Sequence, residues 1–182
     1  GLPGQTDAEG FDPYADTVGP GIYGGQVERT ASGDIVIGPQ YQNHNHRPGP
    51  VYNGQGYSLM SRAIHTGNPE TVRRILQDFP DLVNQVTTGG ARPLHICGMS
   101  AKGQLCTQVL VEAPGVDVHA EDTYGYNALH RMASNNLAEG GAVLVQQGGL
   151  DPNTKGPHAD STPIEIAKRS RAIQFLMKMQ EL

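Results

Sequence analysis

Three segments of the chain resemble one another and recur at an interval of about 35 residues. They are residues 92–98, 127–133 and 162–168. A repeat of this length is one supersecondary unit, which cannot bury its apolar face alone and must stack on its neighbours. The repeats therefore predict a solenoid, whose function we expect on the stacked surface and not in a catalytic pocket.

Each copy begins as a helix N-terminus does. Thr162 can cap a helix with its hydroxyl, and Pro163 then occupies the first helical position, where its missing N–H costs nothing. Apolar or small residues follow at helical spacing, and a second apolar patch at Val109 and Leu110 suits a short antiparallel helix. Each unit is therefore predicted to be a helical hairpin. In the third copy, residues 135–141 are poor in helix formers, so we expect its second helix to start late.

The run from Gly125 to Ala133 resembles the G-x-T-P-L-H-x-A-A signature of ankyrin repeats. Pro93-Leu94-His95 and Thr162-Pro163 match the same motif, and a weaker copy begins at Met60. The resemblance covers about residues 55–182 and implies an all-α, ankyrin-type helical solenoid. The expected units are residues 55–84, 85–119, 120–153 and 154–182.

The region before the repeats differs in composition, being rich in glycine and proline and sparse in apolar side chains. We predict that residues 1–54 form an extended N-terminal arm. Within it, residues 25–38 consist of two β-rich runs around a glycine-containing turn and predict a short β-hairpin. Because a lone hairpin is marginal in water, we expect the arm to pack on the solenoid or, as we favour, on partner subunits.

Charge and hydropathy restrict the classes of partner. The 182 residues carry a formal net charge of −5 and no basic run, which argues against a nucleic-acid partner. No segment is long and apolar enough to cross a bilayer, so attachment to a membrane complex would be peripheral. The chain starts at Gly1 and not at a methionine, for which a cleaved organelle-targeting peptide is one explanation. We expect an intracellular protein, in a plastid or mitochondrion after removal of such a peptide or otherwise in the cytoplasm.

The cysteines and one histidine pair are the candidates for metal or redox chemistry. Cys97 and Cys106 fall on apolar helix positions, so we predict reduced core thiols. His44 and His46 have a spacing that two metal ligands could use, but no cysteine or carboxylate follows at ligand spacing, which favours a polar loop. The sequence therefore predicts no metal and no cofactor.

His95 and His130 also have a structural interpretation. In the ankyrin resemblance this histidine lies near the helix start and hydrogen-bonds the neighbouring repeat. The sequence shows no Ser-His-acid arrangement, no paired catalytic carboxylates and no nucleotide-binding fingerprint. We therefore predict a non-enzymatic protein with no catalytic residues.

The resemblance also implies where a partner would bind, because ankyrin-like proteins use the turn tips and the exposed side of each first helix. The corresponding positions are Thr88, Met99, Ser100, Thr123, Tyr124, Tyr126, Ser134, Asn135, His158 and Arg169. Tyr124 and Tyr126 are the strongest candidates, since exposed tyrosines supply large contact area with few rotors to freeze. The alternative for Tyr126 is simple packing on the adjacent turn.

Three functions are compatible with these features. The first is an accessory subunit that its repeats and its arm hold in a larger complex. Organellar photosynthetic and respiratory assemblies are candidates for this complex. The second is a soluble regulatory or targeting adaptor that binds a client transiently, with the arm folded back on the repeats. The third is a metal-sensing or redox-sensing module, which would use His44, His46 and the two cysteines.

Overall fold

The computed structural model describes residues 59–86 and 90–182. These residues form eight α-helices and contain no strand. The helices are α1 (Leu59–Thr66), α2 (Pro69–Asp78), α3 (Pro93–Cys97), α4 (Thr107–Val111), α5 (Ala128–Ser134), α6 (Ala138–Gln146), α7 (Pro163–Arg169) and α8 (Ile173–Glu181). Two 3₁₀ turns, Pro80–Asn84 and Gly103–Cys106, follow α2 and precede α4. The predicted hairpin at residues 25–38 and the rest of the arm lie outside the described residues.

The helices pair into four consecutive hairpins, α1–α2, α3–α4, α5–α6 and α7–α8. The first helices of the hairpins contact one another in one layer, α1 on α3, α3 on α5 and α5 on α7. The second helices form the other layer in the same order. The described part is thus a two-layer helical stack, and the all-α prediction is confirmed for it.

One apolar core runs through all four hairpins. Its largest fully buried side chains come from every unit and include Ile64, Leu110, Met132 and Phe175. Burial of such a side chain contributes about 1.5–3 kcal/mol, so most of the stability comes from contacts within and between units. The longest described helix, α2, has 10 residues, and no described helix could cross a bilayer.

The two cysteines are part of this core. Cys97 and Cys106 are free thiols and are both fully buried. Burial raises the pKa of Cys106 to about 12 and raises that of Cys97 as well. Because a thiol with so high a pKa stays protonated at neutral pH, both groups behave as small apolar side chains.

Local sequence explains where several of the helices begin. The Thr162 hydroxyl accepts the Glu165 N–H at 3.0 Å, and the Glu165 carboxylate accepts the Thr162 N–H at 2.9 Å. Pro163 occupies the first turn of α7, as predicted. In the first unit, Asn68 caps α2, because its side-chain oxygen accepts hydrogen bonds from the N–H groups of Glu70 and Thr71. Each cap satisfies backbone donors that a helix leaves unpaired at its start.

The second helix of the third unit contradicts the expectation of a late start. Helix α6 begins at Ala138 and contains two consecutive glycines, Gly140 and Gly141. Both glycines are buried, and side chains of other helices approach them closely: a Cβ on Gly140 would meet Met132 at 2.7 Å, and one on Gly141 would meet Phe175 at 2.7 Å. Tertiary packing therefore outweighs the low helix propensity of glycine here.

Two buried histidines join successive units. His95 accepts the Arg92 N–H through Nδ1 at 3.0 Å, and its Nε2 lies 2.8 Å from the Tyr126 carbonyl oxygen of the next unit. His130 repeats this arrangement, with Nδ1 accepting the N–H of its own N-cap residue and Nε2 2.9 Å from the Ser161 carbonyl oxygen. The Nε2–H tautomer satisfies both contacts of each ring. The structural interpretation of these histidines is confirmed.

Candidate protein-interaction surface

The tip of the third unit is built around the carboxylate of Asp122. Its Oδ1 accepts the backbone N–H groups of Tyr124 at 2.9 Å and Tyr126 at 3.1 Å. Gly125 completes the turn with a φ of 81°, in the left-handed region. A Cβ at that position would also meet the His158 backbone at 2.8 Å, because the tips of the third and fourth units touch there. The tip conformation is therefore fixed from both sides.

The other oxygen of Asp122 fixes an arginine beneath the tip. Oδ2 accepts one hydrogen bond from Nε of Arg131 at 2.9 Å and a second from Nη2 at 2.5 Å. The Asp122 side chain is only 3% exposed and that of Arg131 25% exposed. Burial alone would raise the pKa of Asp122, but its hydrogen bonds with Arg131, Tyr126 and Tyr124 outweigh this and lower it. The carboxylate is therefore ionised at neutral pH.

Aromatic rings stack on this arginine. The guanidinium carbon lies 4.9 Å from the Tyr126 ring centroid and 5.5 Å from that of Tyr124. The two tyrosine rings stack at 6.5 Å between centroids, and Tyr126 stacks on His130 at 5.1 Å. We call the four residues Asp122, Tyr124, Tyr126 and Arg131 the tyrosine platform. Cation–π and ring stacking contacts hold its side chains in place before any partner binds.

The two tyrosines of the platform differ in exposure. Tyr124 is 71% exposed, the highest value among the large apolar side chains of the described residues. Tyr126 is half-buried and packs against the core, while its carbonyl oxygen lies within hydrogen-bonding distance of His95 in the preceding unit. The packing alternative for Tyr126 is therefore observed, and its role in partner binding stays a prediction.

The other predicted tip and helix residues of the second and third units fall into two groups. Met99 is 44% exposed, and Thr123 and Ser134 are exposed. Ser100 is half-buried and its hydroxyl accepts the Gly103 N–H at 2.9 Å. The exposed Asn135 donates its side-chain N–H to the Gly98 carbonyl at 2.7 Å, so it also links two units. Thr88 lies outside the described residues.

The fourth unit continues the same surface. His158 is exposed, and its Nδ1 lies 2.6 Å from the Glu121 carboxylate of the third unit. Arg169 is exposed and donates to the Ser161 hydroxyl at 3.0 Å. The Ser161 carbonyl contacts His130, on which Tyr126 stacks, so Ser161 and His130 connect Arg169 to the tyrosine platform. His158 thus contacts the third unit directly, and the binding role of His158 and Arg169 stays a prediction.

Sequence reasoning missed Asp122 and Arg131, the two charged members of the platform. They are nine residues apart and lie on opposite sides of the turn that joins the tip to α5. Asp122 was visible only as the polar residue that begins the Asp-Thr-Tyr-Gly turn, a position where aspartate commonly accepts backbone N–H groups. No spacing rule connects it to Arg131, because their contact depends on how the tip folds back on the helix.

A separate apolar cavity of about 410 Å³ lies between the second helices of the first two units. Leu76, Val83 and Val109 are among its lining residues. No group of three or more potential metal-ligating side chains occurs in the described part of the chain. The tyrosine platform, in contrast, presents an exposed ring on a base of fixed contacts.

Comparison with known proteins identifies the repeat. Residues 110–167 match the family model described as ankyrin repeats (many copies). Over 116 residues, the chain is 28% identical to the target of rapamycin complex 2 subunit AVO2 of Saccharomyces cerevisiae. That alignment covers 63% of this chain but only 26% of the yeast protein. The chain thus spans about a quarter of the length of this relative.

Proposed function

We propose that the chain, whose residues 110–167 match ankyrin repeats, is a non-enzymatic protein-interaction scaffold and an accessory subunit of a multiprotein complex. The partner contacts the tyrosine platform together with the neighbouring exposed residues of the fourth unit, His158 and Arg169. The observation that carries the proposal is the 71% exposure of Tyr124 above a base of fixed contacts.

The geometry of the platform favours protein binding for two physical reasons. A tyrosine has few rotatable bonds, and the contacts of Tyr124 with Tyr126 and Arg131 restrict them before binding. The charge of Arg131 is paired with Asp122, so a partner covering the platform does not bury an unpaired arginine. Aromatic residues held in this way are typical of the few positions that dominate the affinity of an interface.

The comparison with the yeast protein supports the complex-subunit part of the proposal. That relative is, by its name, a subunit of target of rapamycin complex 2. Neither the described residues nor the comparisons support an organellar, photosynthetic or respiratory setting, which stays a prediction from the sequence. The contribution of the arm at residues 1–54 is likewise a prediction.

Substitution of Tyr124 tests the proposed surface. The tagged full-length chain and its Tyr124→Ala variant would be recovered from the native source with their partners, and the affinity for the main stoichiometric partner then measured by titration. Loss of a central aromatic contact is expected to weaken binding by about tenfold or more. Thermal unfolding should be nearly unchanged, because the ring is mostly exposed.

Met177→Ala is the matched control, since Met177 is a 60% exposed apolar residue on α8, outside the predicted surface. The control should retain the affinity of the natural chain. If Tyr124→Ala binds the partner as tightly as Met177→Ala does, the tyrosine platform is not the interface.

A further inference from the structure

The fourth unit differs in charge from the rest of the chain. Residues 154–182 carry five basic and three acidic side chains, whereas the whole chain has a net charge of −5. Four of the basic residues, Lys155, Lys168, Arg169 and Arg171, are exposed. None of these four forms an ion pair with any residue in 59–86 or 90–182. We call them the basic face.

Three basic side chains outside the basic face form ion pairs with a nearby carboxylate. Lys178 lies 3.3 Å from Glu181, Arg131 is paired with Asp122, and Arg73 is paired with Glu70. On the basic face, the hydrogen bond of Arg169 goes to an uncharged serine hydroxyl. The four charges therefore remain available for an anionic ligand, and together they make a local positive potential on an acidic protein.

The basic face adjoins the proposed partner surface. Lys155 lies in the loop before α7, and Lys168, Arg169 and Arg171 lie at the end of this helix, which at seven residues is about 10 Å long. The hydrogen bond from the Thr162 N–H and, in addition, the charges of Lys155 and Arg169 lower the pKa of the exposed Glu165 carboxyl. Arg169 also donates to the Ser161 hydroxyl, and the Ser161 carbonyl contacts His130, on which Tyr126 of the tyrosine platform stacks. An extended peptide of ten residues is about 33 Å long and so has the length to reach from the basic face to the platform.

The sequence contains a segment of complementary chemistry. Residues 7–16 read Asp-Ala-Glu-Gly-Phe-Asp-Pro-Tyr-Ala-Asp, with four carboxylates, two aromatic rings and no basic residue. Residues 1–58 as a whole carry six acidic and two basic side chains. About 40 residues separate this segment from α1, a length that reaches far beyond the four stacked units when extended.

We propose that the acidic segment at residues 7–16 binds the basic face of its own chain and so competes with the partner for the neighbouring tyrosine platform. The competition rests on the proposed function, whereas the contact itself does not. In this proposed contact, the carboxylates of the acidic segment pair with the exposed lysines and arginines, and the aromatic rings of the segment lie against the exposed Tyr124. Because exposed ion pairs are individually weak and are screened by salt, a partner of higher affinity displaces the segment.

A zero-length carbodiimide cross-linker tests this contact in the full-length chain, because it joins a carboxylate only to an amine that touches it. At low salt, mass spectrometry should find links from the carboxylates of residues 7–16 to Lys155 or Lys168. Lys102 is the control, since it is an exposed lysine in the second unit. Links to Lys102 should be at least fivefold rarer, and 0.5 M NaCl should reduce the links to the fourth unit to the same low level.

Two further measurements separate the proposal from its alternatives. The double variant Arg169→Gln and Arg171→Gln halves the charge of the basic face but keeps both lysines, and it should lower their links at least threefold, whereas Arg73→Gln on α2 should not. A mixture of isotopically light and heavy chains distinguishes contacts within a chain from contacts between copies. The links should be light–light and heavy–heavy only.

Three outcomes would overturn the proposal: no links from residues 7–16, equal links to Lys102, or links mainly between copies. The last outcome would assign the basic face to a second copy. None of these readouts requires the partner, so a failure here leaves the Tyr124 experiment standing. Equally, unchanged partner binding by the Tyr124→Ala variant would leave the cross-linking result intact.

Discussion

The histidines that join the units show how a single residue can make stability depend on pH. Burial is the main cause that lowers the pKa values of His95 and His130 from their usual 6.5. The neutral ring is also the form that the hydrogen bonds require, since each Nδ1 accepts a backbone N–H. Protonation of either ring would remove that acceptor from the buried helix start.

We therefore expect the stack to lose stability when the pH falls below about 6.5. Under those conditions the unfolded chain takes up protons on these histidines, while the folded chain does not until its lower pKa values are reached. Folding is then disfavoured as the pH decreases, and this contribution to stability is complete only above pH 6.5. Urea unfolding at pH 7.5 and pH 5.5 measures the effect.

Replacing one of these histidines identifies the source of the pH dependence. His130→Gln removes one titrating group, so the variant should be less stable at pH 7.5 but should lose less stability on acidification than the natural chain. His119→Gln is the control, because His119 is exposed. Equal losses on acidification in His130→Gln and in the natural chain would contradict this assignment.

At the scale of the helix, the adjacent glycines of α6 separate propensity from packing. Replacing glycine by alanine inside a helix normally favours folding by up to about 1 kcal/mol. Gly141→Ala should instead destabilise the protein by about 1–3 kcal/mol, because its Cβ would lie 2.7 Å from the ring of the fully buried Phe175. Urea unfolding of the variant gives the free energy of unfolding directly.

Gly140→Ala is the comparison within the same helix turn. It has the same gain in propensity, but its Cβ would meet the Sδ and Cε atoms at the flexible end of Met132. This side chain can adjust more easily than a ring, so Gly140→Ala should be the less destabilised variant. The reverse order of stability would show that the Phe175 contact does not determine the conformation of α6.

These elements also show what the sequence could predict. The helical hairpins follow from a repeated local pattern and the inter-unit histidines from the ankyrin resemblance, and the structure confirms both. The start of α6 could not be predicted, since it depends on Met132 and Phe175 filling the space that two glycines leave. The candidate surface was located by its position on the repeat, but its Asp122–Arg131 base was missed because a side-chain contact across a turn leaves no periodic signal.

At the scale of the whole molecule, the main contacts between units in residues 59–86 and 90–182 join neighbouring units. Along the second-helix layer, α6 contacts α4 and α8, and α2 contacts α4. The last unit is joined to the third through Phe175, whose ring lies beside Gly141 and whose N–H donates to the Asn136 side chain at 3.0 Å. In a chain of this type, stability is the sum of unit terms and nearest-neighbour terms. A substitution in one terminal unit should therefore destabilise mainly that unit and the unit next to it.

Phe175→Ala should then unfold the C-terminal end selectively. Loss of a fully buried phenylalanine costs about 3–5 kcal/mol, so hydrogen exchange should accelerate strongly in α6, α7 and α8 and much less in α1 and α2. Ile75→Ala, which removes a fully buried side chain from α2, should give the opposite pattern. If either substitution accelerated exchange equally in all four units, the stack would unfold as one cooperative body and its nearest-neighbour contacts would not limit how far a perturbation spreads.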